Sequence, residues 1–164
     1  MPESFYAADE TRAQRVNDLF ATIAPRYDLI NDLQSFGLHR AWKRKMIALA
    51  NPKPGERALD LCCGTGDVAF ALADAGCHVT AADFSEPMLQ VARQRSSNTN
   101  RSSGRESALT FLRADALHLP FPSNHFDLLT IAYGLRNLSD FRAGLAEMLR
   151  VLKPGGRQIG RAHV

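Results

Sequence analysis

The chain has 164 residues, of which 45% are hydrophobic and 23% charged, a composition typical of one globular domain with a sizeable core. Its 20 basic and 17 acidic residues leave a net charge of +3, which is too small and too mixed to indicate a nucleic-acid partner. No apolar run reaches the roughly 18 residues that a membrane-spanning helix needs. The 3 cysteines cannot form a paired framework and lack partners at metal-ligand spacing, so we expect a cytoplasmic protein without a metal site.

The N-terminal segment 1–56 is predicted to be a helical cap. Apolar residues at helical spacing indicate a first helix: Val16, Leu19, Phe20 and Ile23. A second helix is predicted to have an apolar face of Leu38, Trp42, Met46 and Leu49 and a basic face of Arg40, Lys43, Arg44 and Lys45. The prolines and glycine over 52–55 should end it.

The remaining sequence alternates between two periodicities. Short runs typical of strands occupy 57–62, 78–83, 110–115 and 126–132, and helical stretches occupy 67–75, 85–95 and 140–152. The stretch 96–107, rich in serine, asparagine and arginine, is predicted to be a flexible surface loop. Alternating strands and helices predict an α/β fold with a doubly wound, mostly parallel sheet.

The C-terminal part departs from this pattern. Lys153-Pro154-Gly155-Gly156 predicts a turn that should lead into a strand, yet few residues follow it. A sheet of four strands would leave an apolar strand at its edge. We therefore expect a truncated chain whose core covers 57–157. The residues 158–164 back-translate into a commonly used sequencing adapter and are expected to be a non-native tail.

The segment 58–67 predicts a ligand site. It runs from a strand through Gly64-Thr65-Gly66 into a helix, and glycines at such a turn allow a ligand to approach the free N–H groups of the helix. With Ala69 the spacing also satisfies the pattern of dinucleotide sites. An NAD-dependent oxidoreductase is therefore one reading of this loop.

Three acidic residues at predicted strand ends favour a different ligand. Asp83 is placed where a carboxylate accepts hydrogen bonds from ribose hydroxyls. Asp60 would repel a pyrophosphate but suits the ammonium and sulfonium groups of S-adenosylmethionine. Asp115, followed by Ala116, would offer an acceptor to an adenine amino group. Alone, each acid is equally well explained as a cap of its strand end.

These motifs together resemble the class I S-adenosylmethionine-dependent methyltransferases, whose doubly wound sheet binds the cofactor at the carboxyl ends of the strands. The resemblance covers 57–157. It implies that Gly64, Thr65 and Gly66 hold the methionine end, with Asp60 beside them. It further implies that Asp83 binds the ribose and that Asp115 and Ala116 bind the adenine. Ala132 departs from the narrower family described next, whose members often have serine there, so a backbone contact with the cofactor is expected at this residue and a hydroxyl contact is not.

Two further motifs are similar to the ubiquinone/menaquinone biosynthesis C-methyltransferases. One is the string over 19–43 that contains Tyr-Asp, Asn-Asp, His-Arg and Trp-Lys, and the other is Tyr133-Gly134-Leu135-Arg136-Asn137. This resemblance implies methyl transfer to a ring carbon of an isoprenoid quinol. The residues it suggests for catalysis are Arg136, Asn137, Asp28 and His39. Those it suggests against the quinol are Tyr27, Asp32, Phe36 and Arg136.

Plainer interpretations stand beside these roles. His39 is more simply a surface histidine, and Arg136 a salt-bridge partner of Asp140. The basic segment 39–45 could either touch anionic headgroups at a membrane surface or form a solvated helix face. An inactive cofactor-binding fragment is the alternative outside catalysis. The oligomeric state is left open, with a homodimer as one option.

Overall fold

The computed structural model describes residues 38–100 and 108–161. Its elements, in chain order, are α1 (Leu38–Ala50), β1 (Arg57–Leu61), α2 (Asp67–Asp74), β2 (His78–Asp83), α3 (Glu86–Asn100), β3 (Leu109–Arg113), β4 (Phe126–Ala132), a 3-10 helix (Leu135–Asn137), α4 (Phe141–Val151) and β5 (Leu152–Arg161).

The strands form one parallel sheet in the order β3-β2-β1-β4-β5. Alternate residues of a strand point to opposite faces, and both faces of this sheet carry buried clusters. Ala58 packs with Leu72 of α2 on one face, whereas Leu59 packs with Met148 of α4 on the other. Burial on both sides explains why β1 is apolar throughout rather than alternating. The predicted doubly wound α/β fold is confirmed.

The sheet has a fifth strand, so the expectation of four strands was wrong. β5 pairs with β4 from Leu152 to Arg161, and it contains the Lys-Pro-Gly-Gly segment. A register shift between Phe126 and Leu128 of β4 absorbs this segment. Pro154 is tolerated because β5 lies at the edge of the sheet, where its missing N–H breaks no central ladder.

Two helices also differ from their predicted form. α3 continues to Asn100, so the first five residues of the predicted loop 96–107 are helical. Ser97 donates its hydroxyl to the Arg93 carbonyl at 3.1 Å, which lets a serine remain within a helix. In α1 the predicted apolar face was wrong at Leu49, which is 65% exposed, whereas Met46 and Ala50 are buried.

The C-terminus of α1 is fastened to the sheet by Arg157 of β5. Its Nε donates to the Ala50 carbonyl at 3.2 Å, and its Nη2 lies 2.7 Å from Oε2 of Glu56. The hydrogen bond from Arg157 lowers the pKa of Glu56 below its ordinary value. The first described helix and the last strand are thus held together. Within 38–100 and 108–161, no helix is long and apolar enough to cross a membrane.

Candidate cofactor site

The candidate site lies at the carboxyl ends of the strands, where the chain direction across the sheet reverses. β2 lies on one side of β1 and β4 lies on the other. The chain continues from β2 to β3 on the first side and from β4 to β5 on the second, so these two connections run in opposite directions across the sheet. A crevice forms at such a switch point in open α/β sheets, and ligands bind there. The loops that follow β1, β2 and β4 all end at this crevice.

The loop after β1 has the backbone conformation that its glycines predict. Gly64 has a φ of 56° and Gly66 a φ of 93°, and Gly66 is the N-cap of α2. A Cβ at Gly66 would lie 3.1 Å from the Phe70 ring, so both conformation and space favour glycine. The N-terminus of α2 therefore faces the crevice with its backbone N–H groups.

Asp60 is the most unusual group in the site. It is 1% exposed, and its Oδ1 accepts a hydrogen bond from the Thr130 hydroxyl at 2.7 Å. Its Oδ2 is buried and makes no well-formed hydrogen bond among the residues that the structure describes, although the Ala69 N–H is close enough to oppose the rise in the pKa of Asp60. Burial raises the pKa of Asp60 to about 7, and the nearby Asp83 carboxylate adds to the rise. A buried carboxyl with an unsatisfied oxygen fits a cationic ligand, because an ammonium would satisfy both its charge and its hydrogen bond.

Asp83 connects the loops that follow β1 and β2. Its Oδ2 accepts from the Gly64 N–H at 2.8 Å and its Oδ1 from the Ser85 N–H at 2.9 Å. Burial raises the pKa of Asp83, although these backbone hydrogen bonds oppose the rise. Each carboxylate oxygen keeps a further lone pair for a ligand hydroxyl. Asp83 can therefore hold the glycine loop in place and, at the same time, bind a diol of a ligand.

Asp115 does not lie at the end of a strand, so that expectation was wrong. β3 ends at Arg113, and Asp115 begins a turn in which its Oδ1 accepts from the Leu117 N–H at 2.9 Å. The hydrogen bond within the turn accounts for the aspartate without a ligand. Ala116 beside it is buried. The roles predicted for these two residues at an adenine stay predictions.

The turn after β4 packs closely on the residue that follows β1. Ala132 ends β4 half-buried, and Tyr133 has a φ of 64°. A Cβ on Gly134 would lie 2.4 Å from the Cβ of Cys62, which itself has a φ of 56°. This contact places the 3-10 helix with exposed Arg136 and half-buried Asn137 at the crevice.

The sequence profile of the ubiE/COQ5 methyltransferase family matches residues 8–160. The chain belongs to this family. A ubiquinone/menaquinone biosynthesis C-methyltransferase of Shewanella halifaxensis is 45% identical over 92% of the chain, and a demethylmenaquinone methyltransferase of Thermus thermophilus is 47% identical over 86%. The chain spans 59% and 62% of the lengths of these two relatives.

Solved structures agree with this membership. An S-adenosylmethionine-dependent methyltransferase from Mesorhizobium loti is 29% identical with a TM-score of 0.60, over 73% of this chain and 51% of its own. The YcgJ protein from Bacillus subtilis is 30% identical with a TM-score of 0.70, over 76% and 51%. S-adenosyl-L-methionine is thus the cofactor of this fold and family, as predicted.

Some predicted site residues lie outside the part of the chain that the structure describes: Tyr27, Asp28, Asp32 and Phe36. His39 lies in the first turn of α1, but its side chain is likewise outside the description. Asp140 is the N-cap of α4, where its Oδ1 accepts from the N–H groups of Arg142 and Ala143.

Sequence reasoning missed three residues that shape the family's cofactor loop. Thr130 hydrogen-bonds Asp60 from the neighbouring strand, where it is the single polar residue of the buried stretch 128–131. Lys43, which was predicted on the basic face of α1, turns inward and pairs with Asp67. Arg95 reaches the same carboxylate from α3. A polar residue within an apolar strand was a signal that could have identified Thr130. No signal in the sequence indicated the contacts of Lys43 and Arg95.

Proposed function

We propose that the chain transfers a methyl group from S-adenosylmethionine to a ring carbon of a demethylated isoprenoid quinol. The observation that carries the proposal is the buried Asp60, whose unsatisfied oxygen lies beside the glycine loop. A pyrophosphate would be repelled there, whereas an ammonium or sulfonium would be attracted. The names of the relatives supply the quinol as the substrate class.

Different residues of the crevice would bind different parts of the cofactor. The backbone loop of Gly64, Thr65 and Gly66 and the Asp60 carboxyl would hold the methionine end. Asp83, which already accepts the Gly64 N–H, would hold the ribose hydroxyls. Ala116 and Asp115 would border the adenine. Bound there, S-adenosylmethionine supplies an electrophilic methyl group.

The chain must also make the ring carbon nucleophilic, which happens when the neighbouring hydroxyl loses its proton. Arg136 stays protonated and is a poor base, so we propose that its guanidinium stabilises the phenolate while Asn137 orients the ring. Asp28 and His39 are the proposed proton acceptors, and Tyr27, Asp32 and Phe36 the proposed walls of the quinol site.

The location proposed for this activity is the cytoplasm. Cys62, Cys63 and Cys77 are all free thiols, as expected in a reducing compartment. Arg44 and Lys45 are exposed on α1 next to Leu49, which supports peripheral contact with a membrane that holds the quinol.

Thermal unfolding of the chain with S-adenosylhomocysteine, or with NAD, tests the cofactor class. A ligand that binds only the folded state at 100 times its Kd raises stability by about 2.7 kcal/mol. We expect stabilisation by S-adenosylhomocysteine alone. Turnover of a demethylmenaquinol with S-adenosylmethionine then tests the reaction. Stabilisation by NAD instead would support an oxidoreductase, and binding without turnover would indicate an inactive fragment.

Replacing Asp83 with alanine should weaken S-adenosylhomocysteine binding by about 1–3 kcal/mol, because the ribose loses its acceptor. Isothermal titration calorimetry measures this directly. Asp127→Ala is the matched control, since Asp127 also accepts two hydrogen bonds, from Arg57 N–H and Lys153 Nζ. Unchanged affinity in Asp83→Ala would remove the ribose assignment.

Replacing Arg136 with alanine should lower turnover by about 100-fold, as expected for loss of an oxyanion partner. Cofactor affinity should change little, because the proposed contact is with the quinol. Steady-state kinetics with quinol in excess distinguishes the two. Arg142→Ala, an exposed arginine stacked on Phe141, serves as the control. Wild-type turnover of Arg136→Ala would exclude Arg136 from the site.

A further inference from the structure

Asp67 at the first turn of α2 is held by two cations from two different helices. Its Oδ2 lies 2.5 Å from Nζ of Lys43 in α1, and its Oδ1 lies 2.6 Å from Nη2 of Arg95 in α3. Although burial raises the pKa of Asp67, the two positive charges hold it below the ordinary value. The carboxylate is therefore charged and bound on both oxygens, directly after the glycine loop.

The same arginine also holds the loop itself. Arg95 Nη1 donates to the Thr65 carbonyl at 2.9 Å, and its guanidinium lies 5.4 Å from the centre of the Phe70 ring. Residues on both sides of Gly66 are thus attached to α3. Because Gly66 has a positive φ that a free glycine need not keep, these contacts select one conformation of the loop.

Lys43 is the cation that α1 contributes to the contacts around Asp67. It lies on the inward stripe of α1 with Met46, Ile47 and Ala50, which are at helical spacing and packed against the sheet. Its side chain is 18% exposed. Its neighbours Arg44 and Lys45 point to solvent. The ion pair therefore joins the docking of α1 to the conformation of the glycine loop.

We propose that Lys43 is a positioning residue for the cofactor loop, coupling the docked α1 helix to cofactor binding through the Asp67 carboxylate. This inference rests on the proposed function for its ligand, whereas the loop contacts are made between residues of the chain itself. Lys43 touches neither cofactor nor substrate in this role. Its positive charge also opposes the rise that burial causes in the pKa of Asp60, which favours the charged form that a cationic ligand needs.

The test compares Lys43→Met with Lys45→Met, which removes an exposed lysine from the same helix. Calorimetry well below the unfolding temperature should show about 5- to 10-fold weaker S-adenosylhomocysteine binding for Lys43→Met only, a typical coupling between sites. Amide hydrogen exchange of the chain alone should be faster at Gly66 and Phe70 in that variant, because their N–H groups donate to the Cys63 and Gly66 carbonyls of the loop. Lys43→Arg should restore both, because it keeps a donor for Asp67.

Equal affinity and equal exchange in the two methionine variants would overturn the inference, even if Lys43→Met unfolds at a lower temperature. If Lys43→Met does not fold, Lys43→Gln gives the same comparison with a neutral donor. Should the unmodified chain fail to bind S-adenosylhomocysteine, the proposed function fails, while exchange at the loop still decides the role of Lys43.

Discussion

Replacing Gly134 with alanine is expected to destabilise the chain by about 3 kcal/mol, the upper part of the range for overpacking. The new Cβ would lie 2.4 Å from the Cβ and 2.5 Å from the Sγ of Cys62. A Cβ cannot rotate away as the end of a long side chain can, so one of the two loops must shift. Urea unfolding monitored by circular dichroism measures the loss.

A second substitution identifies the cause of that loss. Cys62→Gly removes the opposing Cβ, and its φ of 56° suits glycine. The double variant should therefore recover most of the stability, giving strong non-additivity. Gly144→Ala is the control, because the atom closest to its Cβ, at 2.5 Å, would be Cδ1 of Leu138, the movable end of a side chain. Additive effects of Cys62→Gly and Gly134→Ala would show that the loss has another origin.

Replacing Asp60 with asparagine is expected to change how stability depends on pH. The pKa of Asp60 is raised from 3.8 to about 7 in the folded chain. The folded state thus binds the proton of this carboxyl more tightly than the unfolded state does. The stabilisation that results is full below pH 4 and is lost as pH rises to 7. Relative to wild type, Asp60→Asn should gain on the order of 1.4 kcal/mol per pH unit between pH 5 and 7.

The measurement is the difference in unfolding free energy between wild type and variant at pH 5, 6, 7 and 8. The carboxylates with lowered pKa, including Glu56 and Asp127, are present in both proteins and cancel in that difference. Asp74→Asn, on the exposed end of α2, is the control. A difference that does not vary with pH would show that Asp60 is already ionised in the folded chain.

The affinity of Asp60→Asn for the cofactor product should change in the opposite direction to its stability, falling relative to wild type at high pH. At pH 8, Asp60→Asn is expected to bind S-adenosylhomocysteine about 1.5–3 kcal/mol more weakly, since the ligand ammonium loses a charged acceptor. At pH 5 the wild-type group is largely protonated, so the two affinities should approach each other. Equal affinities at pH 8 would place the ligand ammonium away from Asp60.

Local patterns predicted the frame of the fold but not its long-range contacts. The strands at 78–83 and 126–132 have their predicted bounds, because buried parallel strands are short apolar runs with clear ends. The fold therefore places Asp60 and Asp83 at the crevice, as their positions in the sequence indicate. These features depend on neighbours in the chain.

The failures arose where a distant partner decided the outcome. Leu49 is more hydrophobic than Lys43, so periodicity alone put the lysine outside. In the structure Lys43 faces inward to Asp67, and Leu49 is 65% exposed. β5 was missed because Pro154 and the glycines that follow it predict a turn, whereas pairing with β4 extends them. Neither partner can be identified from the local sequence.

The contact of Arg157 with the C-terminus of α1 has a consequence for the kinetics of folding. Its bond to the Ala50 carbonyl closes a loop of 107 residues, at an entropic cost of roughly 4 kcal/mol for a flexible chain. Such a contact is favourable only once most of the sheet has formed. We therefore place it after the folding transition state, where it slows unfolding instead of accelerating folding. The contact should therefore lengthen the lifetime of the folded chain.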